Sequence, residues 1–200
     1  MSRDEQKRRT RERLLQVARA SFEQRGFEGT TMRMVADEAG VAVGTVFVHF
    51  EDKRDLLCSA LFDDLEHVLD AALREAAGGS VRARLHHLTA ALFCHYEARP
   101  ELSRMLLRES LLTTGPWRSR FAGQVQRVHE VVAGWLAQAR ERQELRPSVD
   151  PALGAVAYLS FYYFALIGWI QGQPLDTVGL VDRLLGQHFD QPQRSVKGPS

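Results

Sequence analysis

Cysteine is nearly absent: Cys58 and Cys94 are the only two in 200 residues. Two thiols so far apart make no disulfide framework and offer no metal-ligand spacing. Their scarcity suits a reducing compartment, so a cytoplasmic location is expected. The N-terminus is charged and lacks the apolar stretch of a secretory signal. Period-two alternation between turn dipeptides does not recur, which removes the signature of β-hairpins. Net charge is also nearly absent, 26 Lys and Arg balancing 25 Asp and Glu to leave +1. Bulk charge therefore does not mark a nucleic-acid binder. What remains is 44% hydrophobic and 26% charged, an ordinary balance for a soluble globular protein. The length suffices to bury a core without disulfide or metal staples.

Helical spacing runs from end to end. Leu14, Ala18 and Phe22 repeat every four residues, with Leu15 and Val17 widening the stripe. This predicts a helix over residues 7–25, ended by Gly26 in the left-handed conformation. Short helices are expected over 32–39 and 43–49, with Gly40 between them. In front of the first, Thr30 or Thr31 can accept a bond from a free amide. Asp52 is placed to cap a long helix over 53–76. Further helices are expected over 81–98, 101–112, 116–144, 151–171 and 175–189. Pro100, Pro116, Pro147 and Pro174 sit at or before helix starts, where proline is tolerated. The tail, QPQRSVKGPS over 191–200, is polar and is expected to be disordered.

Two stretches stand out by charge. The first thirteen residues carry Arg3, Lys7, Arg8, Arg9, Arg11 and Arg13 against Asp4, Glu5 and Glu12, a basic arm suited either to phosphates or to a solvated, frayed helix start. The stretch 152–170, ALGAVAYLSFYYFALIGWI, carries no charge and nearly reaches the length of a membrane span. It is flanked by no cluster of positive residues and contains Gly154, Ala157, Ser160, Ala165 and Gly168, which permit close helix approach. Burial between subunits is the preferred reading over a membrane anchor.

The segment 31–53, TMRMVADEAGVAVGTVFVHFEDK, carries the strongest signal. Two short helices crossing steeply need a small residue at the crossing, and Ala36 supplies it. They need a turn residue that tolerates positive φ, and Gly40 supplies that. Val35, Ala39, Val41 and Val46 sit at offsets that share one core. This is the grammar of a helix-turn-helix, whose second helix enters the major groove of DNA. Its exposed face would carry Ala42, Gly44, Thr45, Phe47, Val48 and His49. Gly44 leaves room for close backbone approach, and Thr45 can meet a phosphate or a base edge. His49 and Lys53 can reach phosphates. Thr31 can present its hydroxyl and free amides to a phosphate, and Arg33 lies one turn further in.

The stretch 22–57, FEQRGFEGTTMRMVADEAGVAVGTVFVHFEDKRDLL, resembles the N-terminal domain of the TetR/AcrR family of transcription regulators. The matching features are the aromatic-x-x-x-Gly-Phe end of the first helix, the Thr-Thr pair, the Ala-Gly-Val turn, Gly-Thr-x-Phe-x-His-Phe, and Lys-x-x-Leu-Leu. The resemblance implies an all-α protein. An N-terminal three-helix helix-turn-helix (homeodomain-like) domain over 1–54 would precede a six-helix ligand-binding and dimerisation domain over 55–190. It implies DNA contacts at Thr31, Arg33, Thr45, Phe47, His49 and Lys53, to which the exposed face of the second helix adds Ala42 and Gly44. The family usually has tyrosine, with a phosphate-bonding hydroxyl, where this chain has Phe47.

The resemblance also implies a homodimer through the last two helices and a repressor released from a palindromic operator on double-stranded DNA. The effector would be a small, largely apolar molecule; no membrane partner and no cofactor are implied. For lining the effector site, Tyr96, Met105, Trp117, Phe121, Val125, His129 and Tyr162 are the candidates, with Leu65, Leu69, Leu92, Leu106 and Val128 beside them. Each also fits a plain core position; for Trp117, Phe121 and Tyr162 the two readings weigh equally. His86-His87 and Cys94-His95 are adjacent pairs that point to different helix faces, so neither chelates a metal. No converging set of titratable groups marks an enzyme.

Overall fold

Ser2 opens the first helix with a capping box. Its hydroxyl accepts from the Glu5 amide at 3.2 Å, and the Glu5 carboxylate accepts from the Ser2 amide at 2.8 Å. Helix α1 (Arg3–Gly29) thus begins four residues earlier than expected, and the basic arm is helical rather than frayed. The computed structural model describes residues 2–76, 78–111 and 116–190, and the tail expected to be disordered lies outside them.

Gly26 does adopt a positive φ of 71°, but with ψ 178° it kinks the helix instead of ending it. The chain regains helical geometry through Phe27, Glu28 and Gly29 before Thr30. Thr30 is buried and ties the kink down, its hydroxyl lying 3.0 Å from the Ser21 carbonyl and 2.8 Å from that of Gly26. Thr31 then takes the cap of α2 (Met32–Ala39), accepting from the Met34 amide at 3.2 Å. Gly40 closes α2 at φ 65°, ψ 40°, a left-handed conformation that a side chain would penalise.

Helix α3 (Val43–His49) follows, then α4 (Lys53–Glu75), whose start Asp52 caps through the Asp55 amide at 2.7 Å. The rest of the described chain is α5 (Val81–Ala98), α6 (Pro100–Leu111), α7 (Pro116–Glu141), α8 (Pro151–Ile170) and α9 (Thr177–Phe189). No strand occurs among the described residues. Asp150 caps α8 with Pro151 at its first position, and Asp176 caps α9.

The chain divides into two compact units. One comprises Met1–Val68 and Cys94–Ala122, the other Leu69–Phe93 and Gly123–Ser200, so α4, α5 and α7 contribute residues to both. In the first unit α1 packs on α2, α2 on α3, and α6 on α1. Leu14, Ala18, Phe22, Val35, Ala36, Ala39, Val46 and Phe50 form its buried centre around the helix-turn-helix. Each large member is worth about 1.5–3 kcal/mol when buried.

In the second unit α8 packs along α9. Gly154 makes this possible, because a Cβ there would lie 2.9 Å from Leu136 Cδ1 and 3.2 Å from Phe189 Cε1. Tyr158 and Tyr162 turn inward; the Tyr158 hydroxyl is 3.2 Å from Thr89 Oγ1, and the Tyr162 ring meets Phe93. By length and composition α8 is apolar enough to cross a membrane, but half of it is buried within the protein. Its other side leaves Leu153, Val156, Phe164 and Ile167 exposed, with Leu153 at 70% and Phe164 at 63%.

Candidate nucleic-acid interface

Helix α3 is seven residues long, roughly 10 Å at 1.5 Å per residue. Val46 alone of its residues is fully buried, and it anchors the helix to α2. Around it Val43, Gly44, Phe47 and Val48 face outward, Phe47 at 54% and Val48 at 69% exposure, while Thr45 and His49 are half-buried. Apolar side chains left this open on so short a helix mark a surface meant to be covered. A Cβ added at Gly44 meets nothing within 4 Å. The protein's own packing thus does not require glycine there, and the missing side chain clears space on the outer face alone.

All eight residues named for DNA lie in the first unit, on α2, α3 or the residues flanking them. Thr31, the N-cap of α2, and Arg33, in its first turn, are exposed, and Arg33 has no ion pair or hydrogen-bonded side-chain partner among the described residues. Ala42 is the exposed N-cap of α3. Lys53, the first residue of α4, is half-buried. Its ammonium donates to the Phe27 carbonyl at 2.7 Å and lies 4.2 Å from the centroid of that ring. One donor of Lys53 is therefore spent on the end of α1, which leaves two for any other partner.

Sequence reasoning missed the arginines that hold this surface in place. Arg11 donates to the His49 carbonyl at 3.1 Å and to Ser59 Oγ at 3.3 Å, and its guanidinium stands 4.5 Å from the Phe50 ring centroid. It thereby satisfies a carbonyl that the C-terminus of α3 would otherwise leave open. Arg19 donates to the Ala60 carbonyl and pairs with Asp64 at 3.2 Å. Arg25 pairs with Glu38 at 2.7 Å. The signal for Arg11 was present: with Leu14, Ala18 and Phe22 it continues the buried stripe of α1 by one turn. Burial lowers the His49 imidazole from its ordinary value of 6.5, and the charges of Arg11 and Lys7 push the same way.

The residues named for an effector site divide between the units. Tyr96, Met105, Trp117 and Phe121 belong to the first, and Val125, His129 and Tyr162 to the second. Trp117 and Phe121 do come together, both against Phe62, with ring centroids 5.4 and 5.0 Å from it. Arg120 covers the rings of Phe62 and Trp117 at 4.5 Å each. The Trp117 indole N–H is already committed, donating to Asp55 Oδ1 at 2.9 Å in the first turn of α4. Val125 and His129 are half-buried on α7, and Tyr162 is buried. Among the described residues no three His, Cys, Asp or Glu side chains gather as a metal site.

A cleft of about 330 Å³ opens elsewhere in the first unit. Leu61, Asp64, His67 and Val68 of α4 form one wall. His95 and Ala98 of α5, Arg99, and Leu102, Ser103 and Leu106 of α6 form the rest. Of these only Leu106 was named for an effector site, and His95 only as one of an adjacent pair that does not chelate.

Known proteins resemble this chain in the same places. The family described as bacterial regulatory proteins, tetR family, matches residues 14–60, which hold the helix-turn-helix. The HTH-type transcriptional repressor KstR of Mycolicibacterium smegmatis is 30% identical over 168 residues, covering 83% of this chain and 79% of that protein. Among solved structures, the transcriptional regulator FadR from Bacillus subtilis in complex with stearoyl-CoA superposes with a TM-score of 0.67. It is 17% identical and covers 86% of this chain and 94% of that one. AibR in complex with isovaleryl coenzyme A and operator DNA gives 0.62 at 21% identity, covering 90% and 98%. The helix-turn-helix, the all-helical fold and the likeness to KstR over 83% of the chain agree: the chain belongs to the tetR family of bacterial regulatory proteins.

Proposed function

We propose that the protein is a sequence-specific DNA-binding transcriptional repressor that leaves a palindromic operator when a small, largely apolar ligand binds. The single observation that carries this is the outer face of α3, where Phe47 and Val48 stand open to solvent and Gly44 withholds a side chain. On this reading residues 1–54 are the DNA-binding domain and 55–190 the ligand-binding and dimerisation domain. Ala42, Gly44 and Thr45 approach base edges, and the Phe47 ring lies beside the DNA backbone. Thr31, Arg33, His49 and Lys53 approach phosphates and fix the register.

One seven-residue helix reads too few bases for useful discrimination, so the operator is met by two copies. A homodimer with two-fold symmetry presents its α3 helices to half-sites about 34–36 Å apart or a multiple of that. The exposed apolar side of α8, beside α9, is the surface through which the copies join. The protein works in the cytoplasm, without a membrane partner and without catalysis of its own. The ligand acts by favouring a conformation whose recognition helices are wrongly spaced, which shifts the population away from the DNA-competent state. The likeness to KstR, a repressor, and to AibR, solved with both a ligand and operator DNA, supports this reading.

The test is Gly44→Ala, with an operator selected by the protein from genomic fragments. The new methyl has open space within the protein. Stability should hold or rise by up to about 1 kcal/mol, since alanine outranks glycine in a helix, while operator affinity falls at least about tenfold because backbone and DNA no longer close up. Unchanged affinity in a fully folded variant would remove α3 from the interface.

A further inference from the structure

We propose that the cleft between α4, α5 and α6 is the binding site for a compact organic carboxylate, whose acid group meets Arg99 and whose apolar body lies on Leu61, Leu102 and Leu106. A volume of about 330 Å³ sits at the low end of small-molecule clefts, roughly 300–1,000 Å³, which selects a compact ligand. Part of its wall is leucine, which rewards an apolar body with burial.

The polar groups on the wall decide the head. Ser103 is only 7% exposed, and its hydroxyl has no hydrogen-bond partner among the described residues. A hydrophobe filling the cleft would strand that hydroxyl away from water. His95 is half-buried, and burial lowers its imidazole from the ordinary 6.5. Asp64 opposes that shift and Arg99 adds to it. The ring is accordingly neutral at pH 7, with one N–H to give and one lone pair to receive.

Charge then separates the ligand classes. Asp64 is already paired with Arg19 at 3.2 Å, and Arg19 also donates to the Ala60 carbonyl. Among the described residues the Arg99 guanidinium has only Glu23, at the limit of ion-pair distance, 4.0 Å, as partner. An amine would face Arg99 without a free counter-charge. A dianion such as a phosphate monoester would carry more charge than the one free arginine balances. A monoanionic carboxylate fits, accepting from Arg99 and from the Ser103 hydroxyl.

The cleft also reaches the DNA-reading surface through its own residues. Asp64 lines it and, through Arg19, clips α4 to α1, the helix on which α2 packs. A ligand that re-aims Asp64 loosens this clip. The consequence for DNA rests on the regulator reading above; occupancy of the cleft does not.

The test is calorimetric titration of the full chain with phenylacetate and hexanoate, and with phenylacetamide and hexanamide as uncharged matches. The carboxylates should bind at least about tenfold more tightly than the amides, because an unmatched Arg99 gains nothing from them. Arg99→Gln should lose that preference. Ala98→Trp, at an exposed position on the cleft wall, should block both acids without disturbing the core. Equal binding of acids and amides, no binding of either acid, or wild-type binding by both variants overturns the site. With the selected operator present, acid binding that leaves DNA affinity unchanged retains the site and overturns its regulatory role. A chain that selects no operator yet binds the acids through Arg99 retains the site and overturns the regulator reading instead.

Discussion

The Lys53 ammonium lies 2.7 Å from the Phe27 carbonyl oxygen and 4.2 Å from the centroid of the Phe27 ring, so the first residue of α4 clasps the kinked end of α1. Lys53 thus has a structural task besides the phosphate contact proposed for it. Lys53→Ala should lower stability by about 1–2 kcal/mol, the scale of a charged hydrogen bond on a partly exposed group. It should also weaken binding to every DNA sequence alike and cut the salt slope by about one per subunit. Thermal melting and binding across a salt series read the two effects separately. A full salt slope in the variant would leave Lys53 with the clasp alone.

How much of this was legible depends on the range over which each feature acts. Thr31 capping α2, Gly40 in its left-handed turn and Asp52 before α4 obey rules that span four residues, and each stands where local chemistry put it. Gly26 shows the limit of such rules: its positive φ was readable, but the continuation to Gly29 depends on Thr30 reaching back nine residues to Ser21. Lys53 to Phe27 spans 26 residues and no local pattern announces it; Arg11 to His49 spans 38, and there the α1 stripe marks Arg11 as inward but not its partner. Trp117 looked equally suited to a ligand cleft or the core; its bond to Asp55, 62 residues away, gives its N–H a fixed partner. The cleft beside α6 was hidden for the same reason, since α4 must fold back against the α5–α6 corner to build it.

Phe47 is 54% exposed on the outer face of α3, so a para-hydroxyl added there points into open space rather than into a core. The family to which the chain belongs usually carries tyrosine at this position, with its hydroxyl on a phosphate. Phe47→Tyr should therefore raise operator affinity about three- to tenfold, a modest share of what a hydrogen bond to a charged group supplies. The melting temperature should stay in place, since nothing buried changes. Fluorescence anisotropy with the selected operator is the measurement. A variant with no gain, or a loss, would mean that this ring does not stand beside a phosphate.

His49 makes the protein's response to acid differ between folding and binding. Burial, with Arg11 and Lys7, holds its folded pKa below the ordinary 6.5. Above 6.5 both folded and unfolded forms are neutral, and the group contributes nothing. As pH falls below 6.5 the unfolded chain takes the proton first, so stability declines until the folded imidazole is protonated too. His95 is shifted in the same direction, chiefly by burial, and adds to that decline. Operator affinity should move oppositely, because a phosphate beside His49 favours the imidazolium and makes binding take up a proton. His49→Gln should flatten the acid rise in affinity and remove only part of the acid loss in stability. An affinity that falls with acid in the wild type would place His49 away from phosphate.

On α8, Leu153, Val156, Phe164 and Ile167 lie exposed on a helix whose opposite side is packed against α9. No charge interrupts the helix from Pro151 to Ile170. Exposed apolar residues spaced along one face behave as half of an interface, and in a two-fold dimer each copy offers the same half. Phe164→Glu puts a charge at a position that is 63% exposed in a single copy, so the isolated fold should survive it. In a dimer the same carboxylate would be desolvated beside its own copy, at a cost of several kcal/mol. Sedimentation should then report a monomer with an unchanged helical signal. Operator affinity should drop by orders of magnitude, since one α3 must work without its twin. A dimer that persists in Phe164→Glu would move the subunit contact off this face of α8.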